Sequence, residues 1–108
     1  MTNPYPKVYN FKTTIHRTEI FIEWLTSLRD QLAKAHIARR IDRLARANAG
    51  DVKPVGEGVS EMRIDHGPGY RVYFVNRGGA LIILLCGGDK RTQERDIKRT
   101  VEMVREFK

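Results

Sequence analysis

The chain lacks most of what builds large, disulfide-linked or membrane-embedded proteins. It has a single cysteine in 108 residues, so no internal disulfide can form and cysteine-rich zinc sets are excluded. Its longest unbroken apolar run, Ala80 to Cys86, has seven residues, where a bilayer span needs roughly twenty. The N-terminal residues show no apolar block of the signal-peptide kind. These absences lead to an expectation of a cytoplasmic protein with no membrane partner, whose Cys86 packs in a reduced interior rather than reacting. His16, His36 and His66 lack metal-ligand spacing, so no metal and no cofactor is expected. A chain of this length is one domain, residues 1–108, with no room for separate cofactor and substrate lobes.

Acidic residues are also in the minority. Thirteen Asp and Glu face 20 Lys and Arg, a formal charge of +7, and residues 31–48 alone carry five Lys and Arg against one Asp. Such an excess suits a polyanionic or acidic partner through steering and counterion release, without saying which.

Apolar spacing supplies the secondary structure. Val8 to Ile15, rich in β-branched and aromatic residues, predicts a first strand. Thr18 can cap a helix starting at Glu19, and Ile20, Phe21, Trp24, Leu25, Leu28 and Leu32 recur at helical spacing. A second helical stretch puts Ile37, Ile41, Leu44 and Ala45 on one face and Arg39, Arg40, Arg43 and Arg46 largely off it. The two stretches form a hairpin or one bent helix, ended by Asn48-Ala49-Gly50-Asp51. Alternation over Val59–Ile64 and Tyr70–Val75, around the turn residues 65–69, predicts a β-hairpin. The continuously apolar Ala80–Cys86 predicts a strand covered on both faces. After Gly87-Gly88-Asp89, Ile97, Val101, Val104 and Phe107 mark a last helix. The order β-α-α-β-β-β-α gives a small α+β domain, with a mainly antiparallel four-stranded sheet and helices packed on one face.

The hairpin carries the chemistry. Parity places Met62, Ile64, Tyr70, Val72 and Phe74 on one face and Glu61, Arg63, Arg71 and Tyr73 on the other. If the turn spans 65–69, Arg63 stands opposite Arg71 and Glu61 opposite Tyr73. Like charges directly across a strand pair repel, so an anion is expected between the two arginines. Either a bound phosphate, which guanidinium forks suit, or Glu61 or Asp65 can fill that place. A second basic group, Lys90, Arg91 and Arg95 with Gln93, follows the Gly87-Gly88 turn, where a helix N-terminus could offer N–H groups to a phosphate. Gly87-Gly88-Asp89-Lys90 is not a nucleotide-hydrolysing loop. His66, in the hairpin turn, is expected to face solvent without a partner.

Several stretches carry a family resemblance: Phe21-Ile22-Glu23-Trp24-Leu25, Gly50 to Gly56, Gly58 to Ile64, Gly67-Pro68-Gly69-Tyr70-Arg71-Val72-Tyr73-Phe74, and Leu84 to Lys90. Together they resemble the RelE/ParE toxin superfamily, and within it the HigB-like addiction-module killer proteins. The resemblance covers nearly the whole chain. It implies a RelE-like domain and the toxin of a type II toxin–antitoxin module. Such a toxin is a metal-independent endoribonuclease that cuts messenger RNA on the ribosome and so inhibits translation. It implies as partners a cognate antitoxin, of helix-turn-helix, HigA-like type, together with mRNA, the ribosome, and operator DNA for the toxin–antitoxin complex.

By the same resemblance Arg71 matches the arginine that binds the scissile phosphate, and Arg63 matches a basic residue on the neighbouring strand. Lys90 and Arg91 fall on a basic pair after the last strand. Ile97 stands where some members carry a base-stacking or proton-transferring tyrosine, and Glu61 stands where those members carry a lysine. The candidate catalytic set is therefore Arg71, Arg63, Glu61 and Lys90, with Glu61 or Lys90 moving protons. Arg91, Tyr73, Lys53 and Arg95 are the candidate RNA contacts, Tyr73 by stacking. Two other functions fit the same residues: a ParE-like poison of DNA gyrase, and a non-catalytic nucleic-acid-binding module that uses the arginine-rich helix.

Overall fold

In the computed structural model, which describes residues 13–107, a short strand β1 (Thr14–Arg17) leads into helices α1 (Glu19–Ser27) and α2 (Gln31–Ala45). Strands β2 (Val52–Gly56), β3 (Val59–Ile64), β4 (Tyr70–Arg77) and β5 (Leu81–Gly88) follow. A 3₁₀ turn at Lys90–Thr92 then opens helix α3 (Gln93–Arg105). The class is α+β as the sequence implies, and residues 8–12 of the expected first strand lie outside the described residues.

Local chemistry sets the helix starts. The Thr18 hydroxyl accepts from Phe21 N–H at 3.1 Å, and Asp30 Oδ1 accepts from Ala33 N–H at 3.0 Å, so each helix has its own side-chain cap. The second cap restarts the apolar phase. Ala33, Ile37, Ile41 and Leu44 become the buried stripe of α2, and Leu32, expected to extend the α1 stripe, is 60% exposed.

The sheet runs β1-β5-β4-β3-β2, with β1 parallel to β5 and every other pair antiparallel. It has five strands rather than four. The additional strand, β2, contains Pro54 and ends at Gly56, residues that argue against a strand except at an edge, where β2 lies. The hairpin register is the one the alternation predicts, with Arg63 opposite Arg71, Ile64 opposite Tyr70 and Glu61 opposite Tyr73.

The helices do not share one face. Phe21, Ile37, Ile41 and Leu44 pack on Met62, Ile64, Val72, Phe74, Ile82 and Leu84. On the other side Ile97, Met103 and Val104 of α3 cover Val59, Tyr73, Val75, Leu85 and Cys86. The expectation of a single helical layer fails because alternate residues of β3 and β4 are apolar or self-paired on both sides. Each face therefore needs cover, and each large apolar side chain buried there stabilises by about 1.5–3 kcal/mol.

An irregularity of the β4–β5 ladder at Tyr73/Phe74 shifts the parity of β5. Gly87 then faces α1 and Gly88 faces α3. A Cβ on Gly87 would lie 2.2 Å from the Trp24 ring, and one on Gly88 would lie 1.9 Å from Asp96 Oδ2. The glycine pair is thus the place where two helices touch the sheet backbone from opposite sides.

Candidate functional site

Glu61 and Tyr73 are fully buried beneath α3, and Arg71 is only 8% exposed. Glu61 Oε2 accepts from the Tyr73 hydroxyl at 3.0 Å and from Gln93 Nε2, the first residue of α3, at 2.9 Å. Arg63 Nε lies 3.4 Å from Oε1, and Arg71 Nε lies 3.4 Å from Oε2. The anion between the two opposed arginines is therefore internal. Burial opposes ionisation of Glu61, yet the bonds from Gln93, Tyr73 and Arg63 and the charge of Arg71 outweigh it and hold the carboxyl below its ordinary range. The same burial, followed by the charge of Glu61, pushes the Tyr73 hydroxyl well up.

Arg71 is aimed by three contacts. Its Nη1 donates to Gly69 O at 2.8 Å, its Nε touches Glu61 only as an ion, and its chain is clasped by the hairpin turn. Gly69 has φ +81°, and a Cβ there would sit 3.5 Å from Arg71 Nη1 and 3.8 Å from Lys90 Cβ. That glycine lets the turn fold onto the guanidinium with Lys90 beside it. Arg63 and Arg71 open together on a cavity of about 300 Å³ that is also lined by Asp51, Ile64, Asp65, Gly69 and Tyr70. The Nη groups of Arg63 take no protein partner among the described residues, so the pair can present convergent N–H donors to an anion. A larger cavity of about 460 Å³ lies at the β1 edge, lined by His16, Thr18, Arg77, Leu81, Ile83 and Phe107. It contains none of the site residues predicted from sequence.

Residues 23–106 match the phage-derived Gp49-like protein family, DUF891. The chain belongs to this Gp49-like family. An uncharacterised protein of Haemophilus influenzae is 51% identical to it over 93 residues, which make up 86% of this chain and 94% of the relative. A chain of the toxin–antitoxin complex RelBE2 from Mycobacterium tuberculosis superposes with a TM-score of 0.56 at 17% identity, over 73% of this chain and 99% of that one. At that identity the match shows a shared fold.

Within this Gp49-like chain the predicted site residues separate into three groups. Arg63 and Arg71 are brought together at the cavity, and Lys90 lies next to its wall, beside Gly69. Glu61 and Tyr73 lie underneath it, which corrects two expectations. Both carboxylate oxygens of Glu61 are occupied and have no path to a substrate proton, and the Tyr73 ring has no exposed face on which a base could stack. The remaining three stand apart from the cavity. Lys53 is exposed on β2 opposite Glu61 in register. Arg91 is bound to Asp89, Nη2 to Oδ2 at 3.0 Å. Arg95 is exposed in the first turn of α3, 3.7 Å from Asp96.

The helix start after Gly88 is not free for a phosphate either. Asp89 caps it, accepting from Arg91 N–H at 2.8 Å, while the Thr92 hydroxyl accepts from Asp89 N–H at 3.2 Å. His66 is no idle surface residue, since its Nε2 lies 3.0 Å from Asp30 Oδ2 and its ring lies 4.7 Å from that of His36.

Sequence reasoning missed two residues. Arg40, grouped with a solvated basic face, bonds the Arg63 carbonyl through Nη1 and Ala49 O through Nη2 at 2.9 Å, fixing α2 to the backbone of the site. Gln93 completes the Glu61 cluster. Its place three residues after Lys90 was visible in sequence, but its direction was not.

Proposed function

We propose that the chain is the toxin of a type II toxin–antitoxin module, of HigB-like kind, and that it cuts messenger RNA on the ribosome without a metal. The observation that carries this reading is Arg71, nine-tenths buried and pre-aimed with Arg63 into one cavity at the end of the sheet. In metal-free RNA cleavage the 2′-hydroxyl attacks the adjacent phosphorus, the 5′-oxygen leaves, and the phosphoryl oxygens gain negative charge. Arg71 and Arg63 receive that charge. Because Glu61 and Gly69 hold Arg71 before substrate arrives, little reorganisation is needed during reaction. Lys90, exposed beside Gly69, donates a proton to the leaving 5′-oxygen, and the proton of the attacking 2′-hydroxyl passes to solvent water, from which Lys90 is reprotonated. The fold shared with a chain of a toxin–antitoxin complex supports an antitoxin as partner, with a helix-turn-helix, HigA-like protein and operator DNA as parts of the same proposal. The charge of +7 suits both RNA and an acidic antitoxin segment.

The test is translation of a defined message on purified ribosomes with the protein added, followed by mapping of the RNA ends. Cleavage is expected, and Arg71→Ala should lower its rate about a hundredfold, close to 3 kcal/mol of transition-state stabilisation. Arg71→Ala cutting as fast as the parent refutes the assignment. No cuts, with altered plasmid topology in the presence of gyrase, would favour a gyrase poison. Neither effect would leave a binding module.

A further inference from the structure

The cavity on which the arginine pair opens contains more than an anion site needs. Its wall includes Tyr70 and two carboxylates, Asp51 and Asp65, and acidic groups beside a phosphate site weaken it unless they serve another part of the ligand. Neither carboxylate neutralises the arginines, which direct Nε to Glu61 instead. Asp51 leans electrostatically on Arg40. Asp65 has no cation within ion-pair distance among the described residues and is exposed at the mouth.

Tyr70 is a half-buried ring fixed from two sides. The Trp24 ring meets it edge-on at 6.3 Å, and the His66 ring lies nearly parallel at 6.4 Å. It also packs against the core cluster under α1 and α2. A ring held in this way is a platform whose ordering cost is already met, and base–aromatic stacking is the usual means by which single-stranded RNA is held. The cavity volume, about 300 Å³, lies at the lower end of the range for small-ligand sites.

We infer that this cavity is a nucleotide subsite selective for guanine, with Tyr70 stacking on the base, Asp65 reading its edge, and Arg71 and Arg63 holding the adjoining phosphate. Guanine is the base that presents two adjacent donors, N1–H and the N2 amino group, to one carboxylate. Adenine and cytosine present one amino group, and inosine keeps N1–H but lacks the N2 amino group. Tyr70 takes the stacking role that the buried Tyr73 cannot fill. The inference rests on the RNA-binding reading above.

The experiment measures binding of the full chain to fluorescent five-nucleotide RNAs made uncleavable by 2′-O-methylation, with guanine, inosine, adenine or cytosine at the central position. Guanine should bind tightest, about tenfold over inosine, the worth of one hydrogen bond to a charged group. Asp65→Asn, a substitution at an exposed position, should reduce that preference to under about twofold. Tyr70→Leu should weaken all four probes, while Tyr70→Phe restores them.

Equal binding of the four probes by the parent chain, or a guanine preference that survives Asp65→Asn, overturns the subsite. In either case loss of binding in Arg71→Ala leaves the phosphate-binding reading in place. Absence of any Arg71-dependent binding overturns both.

Discussion

Replacing Glu61 by Gln keeps the shape of the side chain and removes the one negative charge beneath two arginines. In the native cluster that charge faces Arg63 and Arg71, each at 3.4 Å, and accepts from Tyr73 and Gln93. A glutamine keeps one acceptor and turns its amide donors toward a guanidinium. Removing one member of a buried charged group costs about 3–5 kcal/mol. The Arg63 side chain is 41% exposed and can swing into water, which lowers the expected loss to about 2–4 kcal/mol. Set against a typical total stability of about 5–15 kcal/mol, this is a large fraction.

Urea unfolding followed by the fluorescence of the single tryptophan, Trp24, should show the midpoint at pH 7 falling by about 1 M or more, with little change in slope. The sign of the pH dependence follows from the lowered carboxyl pKa of Glu61. Its contribution is complete above the unfolded carboxyl value of roughly 4.3 and is lost as pH falls through the lower folded value. Parent and Glu61→Gln curves should therefore converge on acidification. An unchanged midpoint at pH 7, or the same gap at pH 7 and pH 3, would refute the view of Glu61 as the counter-ion that positions the arginines.

Two further outcomes follow from the packing. Gly88→Ala places a methyl group 1.9 Å from Asp96 Oδ2 and 2.7 Å from Thr92 Oγ1, so it should cost about 3 kcal/mol or more. A thermal melt within a degree or two of the parent would contradict the close approach of α3. The Cys86 thiol, buried and with Asp96 nearby, is pushed up to about 12. It should resist a disulfide reagent in the native state at pH 8 and react fully in denaturant, and rapid native labelling would place it outside the core.

The amount legible in the sequence differed from element to element, for physical reasons. Both hairpin strands and their register followed from alternation, because one face of each is uniformly apolar and a one-residue slip would reverse it. Thr18 was legible as a cap because capping is local. Strand β2 was not, since Pro54 and the flanking glycines carry turn signals that only an edge position reconciles with a strand. The face of α3 could not be read either, because the last helix is amphipathic whichever side of the sheet it covers. At the site, the opposition of Arg63 and Arg71 was derivable from parity. Which anion lay between them was not, because that depends on α3 sealing Glu61 from water. The supporting bonds of Arg40 and Gln93 were hidden for a related reason: a long polar side chain can snorkel to solvent or turn inward, and the sequence records neither choice.

The connection of β1 to β5 bears on how the polypeptide is made. Strand β1 pairs with residues 81–84, and the Thr18 hydroxyl donates to the carbonyls of Leu84 and Leu85, 66 and 67 positions away. Contacts so distant along the chain form late and slowly. Strand β1 must wait for residues 81–85, and Glu61 must wait for Gln93. A nascent chain stalled before that glutamine carries an uncovered sheet face and an unfinished charge cluster, so the arginine pair comes into alignment only after Gln93 and the helix behind it have been made.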